Sequence, residues 1–256
     1  MTTPIVSVEG LGLRFGHREL WRDLTFQIER GEFLAVLGPN GAGKTSLLRI
    51  LLGQLEPTSG HVVLDRSRIG YVPQQRAFDR DLPLRGRDLV RFGLDGHRWG
   101  LGRLGPHDRR RLEDAVAAVG ATALADTPIG RLSGGEQQRL RVAQALVSNP
   151  SLLLADEPLL SLDLAYQQVI VHLLDERRRS AGTPVVFVTH DVNPILSAVD
   201  RVLYFGPDGW AIGPVDDVLT TETLSRLYGT EIDVLRVRGR VVVVGTPDAE
   251  HVHHVH

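Results

Sequence analysis

The residues best suited to chemistry lie early in the chain, in the run Gly38-Pro39-Asn40-Gly41-Ala42-Gly43-Lys44-Thr45 followed by Ser46. Glycines at the first and sixth places let a backbone curl so that several N–H groups face one anion. An ammonium and a hydroxyl in succession then supply a point charge for a phosphate chain and a hard oxygen for Mg²⁺. The preceding Phe33-Leu-Ala-Val-Leu37 has the continuous apolar character of a strand buried on both faces, and Ser46 to Leu52 has a helical pattern closed by Gly53. The run therefore sits between a buried strand and a helix N-terminus, where the helix dipole adds positive potential. Lys44 is the only lysine in the chain, so a protein that otherwise takes its positive charge from arginine keeps its single ammonium at this place.

A second apolar run, Leu152-Leu-Leu-Ala155, ends in Asp156 and Glu157. Consecutive strand residues point to opposite faces, so the two carboxylates suit different tasks: Asp156 as a Mg²⁺ ligand and Glu157 as a group that polarises water. A third, Val185-Val-Phe-Val188, is followed by Thr189-His190-Asp191. In Leu132-Ser133-Gly134-Gly135-Glu136, the Ser133 and Glu136 spacing forms a capping box that opens a helix. Two glycines behind the cap disfavour a helix by about 1 kcal/mol each relative to alanine. They make sense where bare N–H groups must approach a phosphate closely.

The surrounding pattern must hold these groups. Ile5 to Glu9 and Leu24 to Ile28 are expected to be antiparallel strands of a small β-layer. Residues 79–149 lack strand signals and have helical spacing, including Arg109 to Val119. Strand and helix then alternate: a helix over Leu164 to Arg179, another near Asn193 to Val199, and a strand over Arg201 to Phe205. A helix is expected over Leu219 to Tyr228, and strands over Ile232 to Val237 and Arg240 to Val244. This order predicts an α/β fold, a mostly parallel sheet covered by helices, with a small antiparallel β-subdomain and an inserted helical subdomain. The expected division is one domain over 1–246 and a flexible histidine-rich tail over 247–256.

Composition narrows the function. With Lys+Arg 29 against Asp+Glu 31, the charge gives no general reason to bind nucleic acid. The absence of cysteine excludes disulfides and thiolate metal sites. No apolar run approaches the length of a membrane span, so work at a membrane requires a partner there.

Taken together and in order, the motifs resemble those of the nucleotide-binding subunit of an ABC transporter. Gly38 to Thr45 resembles the Walker A loop, Leu152 to Glu157 the Walker B strand, and Leu132 to Arg139 the signature motif. Gln74 in Tyr71-Val-Pro-Gln74 resembles the Q-loop glutamine, Ser161-Leu-Asp163 the D-loop, and His190 the switch histidine. Phe15 in Leu13-Arg-Phe-Gly16 falls where the family, more often with tyrosine, stacks adenine.

The resemblance implies a P-loop ATPase that binds ATP with Mg²⁺. Two copies would form a homodimer with ATP between them, Walker A of one chain facing Ser133, Gly134 and Gly135 of the other, with Asp163 beside the nucleotide. It also implies catalytic roles for Glu157, His190 and Gln74, and Mg²⁺ contacts from Thr45, Gln74 and Asp156. Integral-membrane permease subunits, an extracytoplasmic solute-binding protein acting through them, and a place at the cytoplasmic face of the cell membrane follow from the same likeness.

Ile69 to Gln74 followed by Asp79 to Leu84, and Leu227 to Thr230 followed by Val234 to Arg240, resemble the zinc/manganese uptake group, so a divalent metal is the expected cargo. Other ABC systems, for siderophore or haem import, export or non-transport work, stand as the alternative. A metal-binding or chaperone module acting through His251, His253, His254 and His256 is a third reading, which leaves the ordered motifs unexplained. For the tail itself, a weak metal site and an inert disordered segment both stand.

Overall fold

The computed structural model describes residues 3–75, 78–95 and 104–245. Its centre is a six-stranded sheet built from β3 (Phe33–Leu37), β5 (Ile69–Val72), β6 (Leu152–Asp156), β7 (Val185–Val188), β8 (Arg201–Gly206) and β9 (Gly209–Pro214). The order is β5-β6-β7-β3-β8-β9; the first five strands are parallel and β9 pairs antiparallel with β8. The strands are short apolar runs because both faces are covered. Phe33, Ala35 and Leu37 enter one core with Leu153, Ala155, Val185 and Phe187. Leu34 and Val36 enter the opposite core with Leu152, Leu154, Val186 and Val188. Side-chain alternation thus feeds two cores from one sheet, each fully buried Val, Leu or Phe side chain contributing about 1.5–3 kcal/mol.

One face is closed by α1 (Lys44–Leu51) and an antiparallel layer of β1 (Val6–Phe15), β2 (Arg18–Ile28) and β4 (Ser59–Leu64), in the order β2-β1-β4. The other face is closed by α2 (Gly86–Asp95), α3 (Pro106–Ala118), α4 (Gly134–Val147) and α5 (Leu164–Ala181). The chain continues through α6 (Val215–Val218) and α7 (Thr221–Tyr228) to an antiparallel hairpin of β10 (Ile232–Val237) and β11 (Arg240–Gly245). No described helix is long and apolar enough to cross a membrane.

The expected α/β fold with its mostly parallel sheet and small antiparallel layer is present, with differences in detail. No helix runs from Asn193 to Val199; a single 3-10 turn occupies Asn193–Ile195. Pro194 supplies no N–H, and the Asn193 side chain is held by bonds to Asp191 and Val241. The helix expected from Leu219 begins at Thr221 because the Thr220 hydroxyl caps it, accepting the Thr223 N–H at 3.1 Å. Strands β4, β5 and β9 carry Gly and polar residues that hid them from pattern reading.

Candidate functional site

Parallel register brings the chemical groups together. Val36 of β3 and Asp156 of β6 are both level with Val188 of β7, and Ala155 is level with Val72 of β5. The loops after β3, β5, β6 and β7 therefore leave one edge of the sheet side by side, the place where open parallel sheets put ligand sites. Those loops carry Gly38 to Thr45, Gln74, Glu157 and His190. Phe15, Asn40, Gly41, Gly43, Lys44, Thr45, Ser46, Gln74, Asp156 and Glu157 line one cavity. Three residues there were not found from sequence, Arg18, Leu20 and Val188; the first two lie on an ordinary amphipathic strand with no motif to mark them, and Val188 reads only as the apolar end of β7.

Two glycines of the loop are dictated by what lies beneath. Trp21 and Phe205 stack with ring centroids 5.8 Å apart. A Cβ on Gly38, where φ is 138°, would meet the Phe205 carbonyl oxygen at 2.4 Å, and one on Gly43, where φ is 93°, would meet Trp21 Nε1 at 2.5 Å. The loop backbone thus passes close against the Phe205 main chain and the Trp21 indole, in conformations that glycine alone adopts without strain. Gly43 is the N-cap of α1 and brings no side-chain cap, and no acidic residue occupies the first turn. The first N–H groups of α1 are therefore offered to an anion rather than to the protein.

Lys44 is 8 % exposed and donates to the carbonyls of Gly38 at 2.7 Å and Pro39 at 3.0 Å. Burial lowers its pKa, and the Glu157 and Asp156 carboxylates pull it back up. Asp156 is 1 % exposed and neither of its carboxyl oxygens has a hydrogen-bond partner. Its desolvation raises the pKa; the nearby Thr45 hydroxyl, outside hydrogen-bonding geometry, and the charges of Lys44 and Arg49 oppose that rise. Two orphaned carboxyl oxygens beside a hydroxyl form the hard oxygen donor set that suits Mg²⁺.

Glu157 follows the strand with φ 50°, a left-handed conformation uncommon for a non-glycine residue and typical of strained functional positions. Its backbone N–H donates to Val188 O at 3.0 Å, and its Oε2 lies 3.0 Å from His190 Nδ1. A second cavity holds Glu157, Ser161 and His190 together with Asn193 and Arg240. The latter two belong to segments whose sequence gave no sign of a link to this site.

The glycine pair behind Ser133 lines neither cavity. The expected capping box is formed: Glu136 N donates to Ser133 Oγ at 3.3 Å, and Glu136 Oε2 accepts from Ser133 N at 2.7 Å. A Cβ on Gly134 would lie 2.2 Å from Gln75 Nε2, and one on Gly135 would lie 2.8 Å from Ser161 O. Asp163 caps α5, accepting the Tyr166 N–H at 2.9 Å. Residues His251, His253, His254 and His256 lie outside the described residues.

Comparison with known proteins agrees with this geometry. The sequence profile of the ABC transporter family matches residues 21–160. The manganese transport system ATP-binding protein MntB of Halalkalibacterium halodurans is 35 % identical over 94 % of this chain and 98 % of its own. The zinc transport system ATP-binding protein TroB of Treponema pallidum is 36 % identical over 90 % of this chain and 89 % of its own. Among solved structures, a chain described as belonging to a metal-chelate type ABC transporter in an inward-facing conformation matches with a TM-score of 0.80 and 30 % identity, over 95 % of this chain and 98 % of that one. A dimeric post-hydrolysis state of the ATP-binding cassette MJ0796, bound to ADP and Pi, matches with a TM-score of 0.66 and 27 % identity, over 78 % of this chain and 93 % of that one. With its profile match, its relatives along nearly the whole chain and its strand-end phosphate loop in agreement, the chain belongs to the ABC transporter family as an ATP-hydrolysing subunit.

Proposed function

We propose that the chain energises import of a divalent transition metal, zinc or manganese, by hydrolysing ATP at the edge of the parallel sheet. The observation that carries the ATPase chemistry is the convergence of Lys44, Thr45, Asp156, Glu157 and His190 at adjacent strand ends. The cargo rests on likeness to relatives named for manganese and zinc transport.

In this reading the uncapped N–H groups of α1 and the Lys44 ammonium bind the β- and γ-phosphates, and Phe15 stacks on the adenine. Thr45 and Asp156, with Gln74, hold Mg²⁺, which neutralises charge on the phosphate oxygens when bound. Glu157 accepts a proton from the attacking water, and His190 steadies the γ-phosphate and the line of attack. Two copies close on ATP as a homodimer, the bare backbone of Ser133, Gly134 and Gly135 from each facing the phosphates held by the other. Permease subunits dock around Gln74 and the residues after it. They hold the chain at the cytoplasmic face of the membrane and couple it to an extracytoplasmic solute-binding protein. The residues of α2 to α4 act as a helical subdomain within residues 79–149 of a domain spanning 1–246.

The likeness to a metal-chelate transporter chain favours chelated metal as the second reading. One experiment separates the two: ATP hydrolysis by the complex of this chain with its co-purified permease in liposomes, given the solute-binding partner and Zn²⁺, Mn²⁺, Fe²⁺, haem or a siderophore in turn. Stimulation by Zn²⁺ or Mn²⁺, lost in Glu157→Gln, supports the proposal. Stimulation by haem or siderophore alone moves the cargo to a chelate, and hydrolysis indifferent to all of them overturns metal import.

A further inference from the structure

The carboxy-terminal hairpin lies beyond the segment matched by the family profile, yet it is fastened to the loop that carries His190. Two hydrogen bonds make the joint: the Val241 N–H donates to Asn193 Oδ1 at 2.8 Å, and Asn193 Nδ2 donates to Val241 O at 3.0 Å. Val241 pairs with Arg236 across the hairpin, so its N–H and C=O on the outer edge of β11 face the amide of a single side chain. A carboxamide, with one donor and one acceptor in a plane, matches that edge as a neighbouring strand would.

Asn193 is tied equally firmly to the His190 loop. Its backbone N–H and its Nδ2 both donate to Asp191 Oδ1 at 2.9 Å, and Thr189 Oγ1 exchanges bonds with the Asp191 backbone, donating to its carbonyl at 3.0 Å and accepting its N–H at 3.2 Å. His190 therefore stands between two anchored residues with its own side chain largely exposed, so beyond its single contact with Glu157 its aim depends on the fixed backbone around it. Arg240, next to Val241, lines the same cavity as Glu157 and His190, which places the hairpin at the rim of the site.

We propose that Asn193 is a positioning residue for His190, and that through it the carboxy-terminal hairpin is part of the mount of the ATPase site. The inference rests on the reading of His190 given above. Its chemistry is geometric: a loop released from the hairpin lets the imidazole wander, and displacement of a reacting group by about 1 Å is enough to lower a rate by roughly 100-fold. Bound ATP is held by α1, with Lys44 at its start, away from the His190 loop, so affinity is left alone.

The test uses the full chain and compares Asn193→Ala, Val116→Ala and His190→Ala for kcat, KM for ATP, melting temperature and hydrogen exchange of the Val241 amide. Val116, on α3, is 3 % exposed, and its truncation loosens the core while leaving both bonds between Asn193 and Val241 in place. The expected result is that Asn193→Ala lowers kcat roughly tenfold or more, within the range for a misplaced group, leaves KM near its original value and speeds exchange at Val241, whereas Val116→Ala retains kcat. Faster exchange with kcat unchanged overturns the proposal, as does an equal loss of kcat in both variants, which is the mark of simple destabilisation. Undiminished turnover in His190→Ala overturns the reading of the histidine, and the proposal with it. Should Asn193→Ala not fold, Asn193→Ser carries the same expectation, because one hydroxyl cannot serve both groups of Val241 in the same way.

Discussion

Oε2 of Glu157 and Nδ1 of His190 lie 3.0 Å apart, joining the ends of β6 and β7 across one strand spacing. The pair unites a residue in a left-handed conformation, φ 50°, with one whose imidazole is 63 % exposed. Such a contact holds a carboxylate and an imidazole at a fixed separation, with the second ring nitrogen turned away from the carboxylate and able to meet a further group. In the proposed mechanism that group is the γ-phosphate, and the water to be activated lies on the carboxylate side. The two residues therefore have separable signatures.

Glu157→Gln keeps the shape and loses the base. Steady-state phosphate release is expected to fall by at least about 100-fold, the usual contribution of a general base. ATP binding is retained, and size-exclusion chromatography with ATP detects an accumulated dimer that wild-type chain clears by hydrolysis. Undiminished phosphate release removes Glu157 from its role.

His190→Ala affects an interaction made with the reacting phosphate rather than with the nucleotide as a whole. Turnover is expected to fall by roughly 10-fold or more, with the affinity for ATP changed far less, as befits an interaction realised in the transition state. Equilibrium nucleotide titration beside steady-state kinetics measures both. Equal losses point to folding or binding instead.

Much of this arrangement is legible in sequence, for identifiable reasons. Strands β3, β6 and β7 are buried on both faces and so appear as uninterrupted apolar runs, and each runs straight into its functional loop. The Ser133 and Glu136 spacing announces the capping box that is present. What escapes pattern reading depends on tertiary contact. Gly70 sits in β5 because a Cβ there would meet Ala145 O at 2.5 Å, a demand from α4 that weakens the strand signal. Asn193 reads as a helix residue until its amide is seen to serve β11, 48 residues away. Within the arginine runs at 109–111 and 177–179, the partly buried Arg178 pairs with Asp175 and Asp200, and Arg111 donates to Val147 O, contacts that the charge pattern alone does not announce.

Asp156 is expected to trade stability for function. Burial pushes its carboxyl pKa above the ordinary aspartate value, so between the unfolded and folded pKa values the native chain holds a proton that the unfolded chain has released. The associated stability is greatest at low pH and is lost as pH rises through that window. Asp156→Asn removes this dependence. Its melting temperature without nucleotide at neutral pH is expected to equal or exceed that of wild type, while the further rise given by ATP with Mg²⁺ shrinks. A thermal-shift series over pH, with and without Mg²⁺ and ATP, checks both. A lower melting temperature together with an intact response to Mg²⁺ and ATP defeats the assignment.

Gly134 discriminates between two reasons for a glycine. A Cβ there would lie 2.2 Å from Gln75 Nε2, so Gly134→Ala must displace Gln75, and the side chain would also stand over N–H groups proposed to face the partner's phosphates. The single variant is expected to lose roughly tenfold or more in hydrolysis, within the range for a misplaced phosphate-binding group, with monomer ATP binding kept. The double variant Gly134→Ala/Gln75→Ala relieves the clash while leaving the methyl group on the helix N-terminus. Recovered thermal stability without recovered hydrolysis or ATP-driven dimerisation means that bare backbone is required there. Recovery of all three means that the glycine exists to make room for Gln75, and removes the case for phosphate contact at this position.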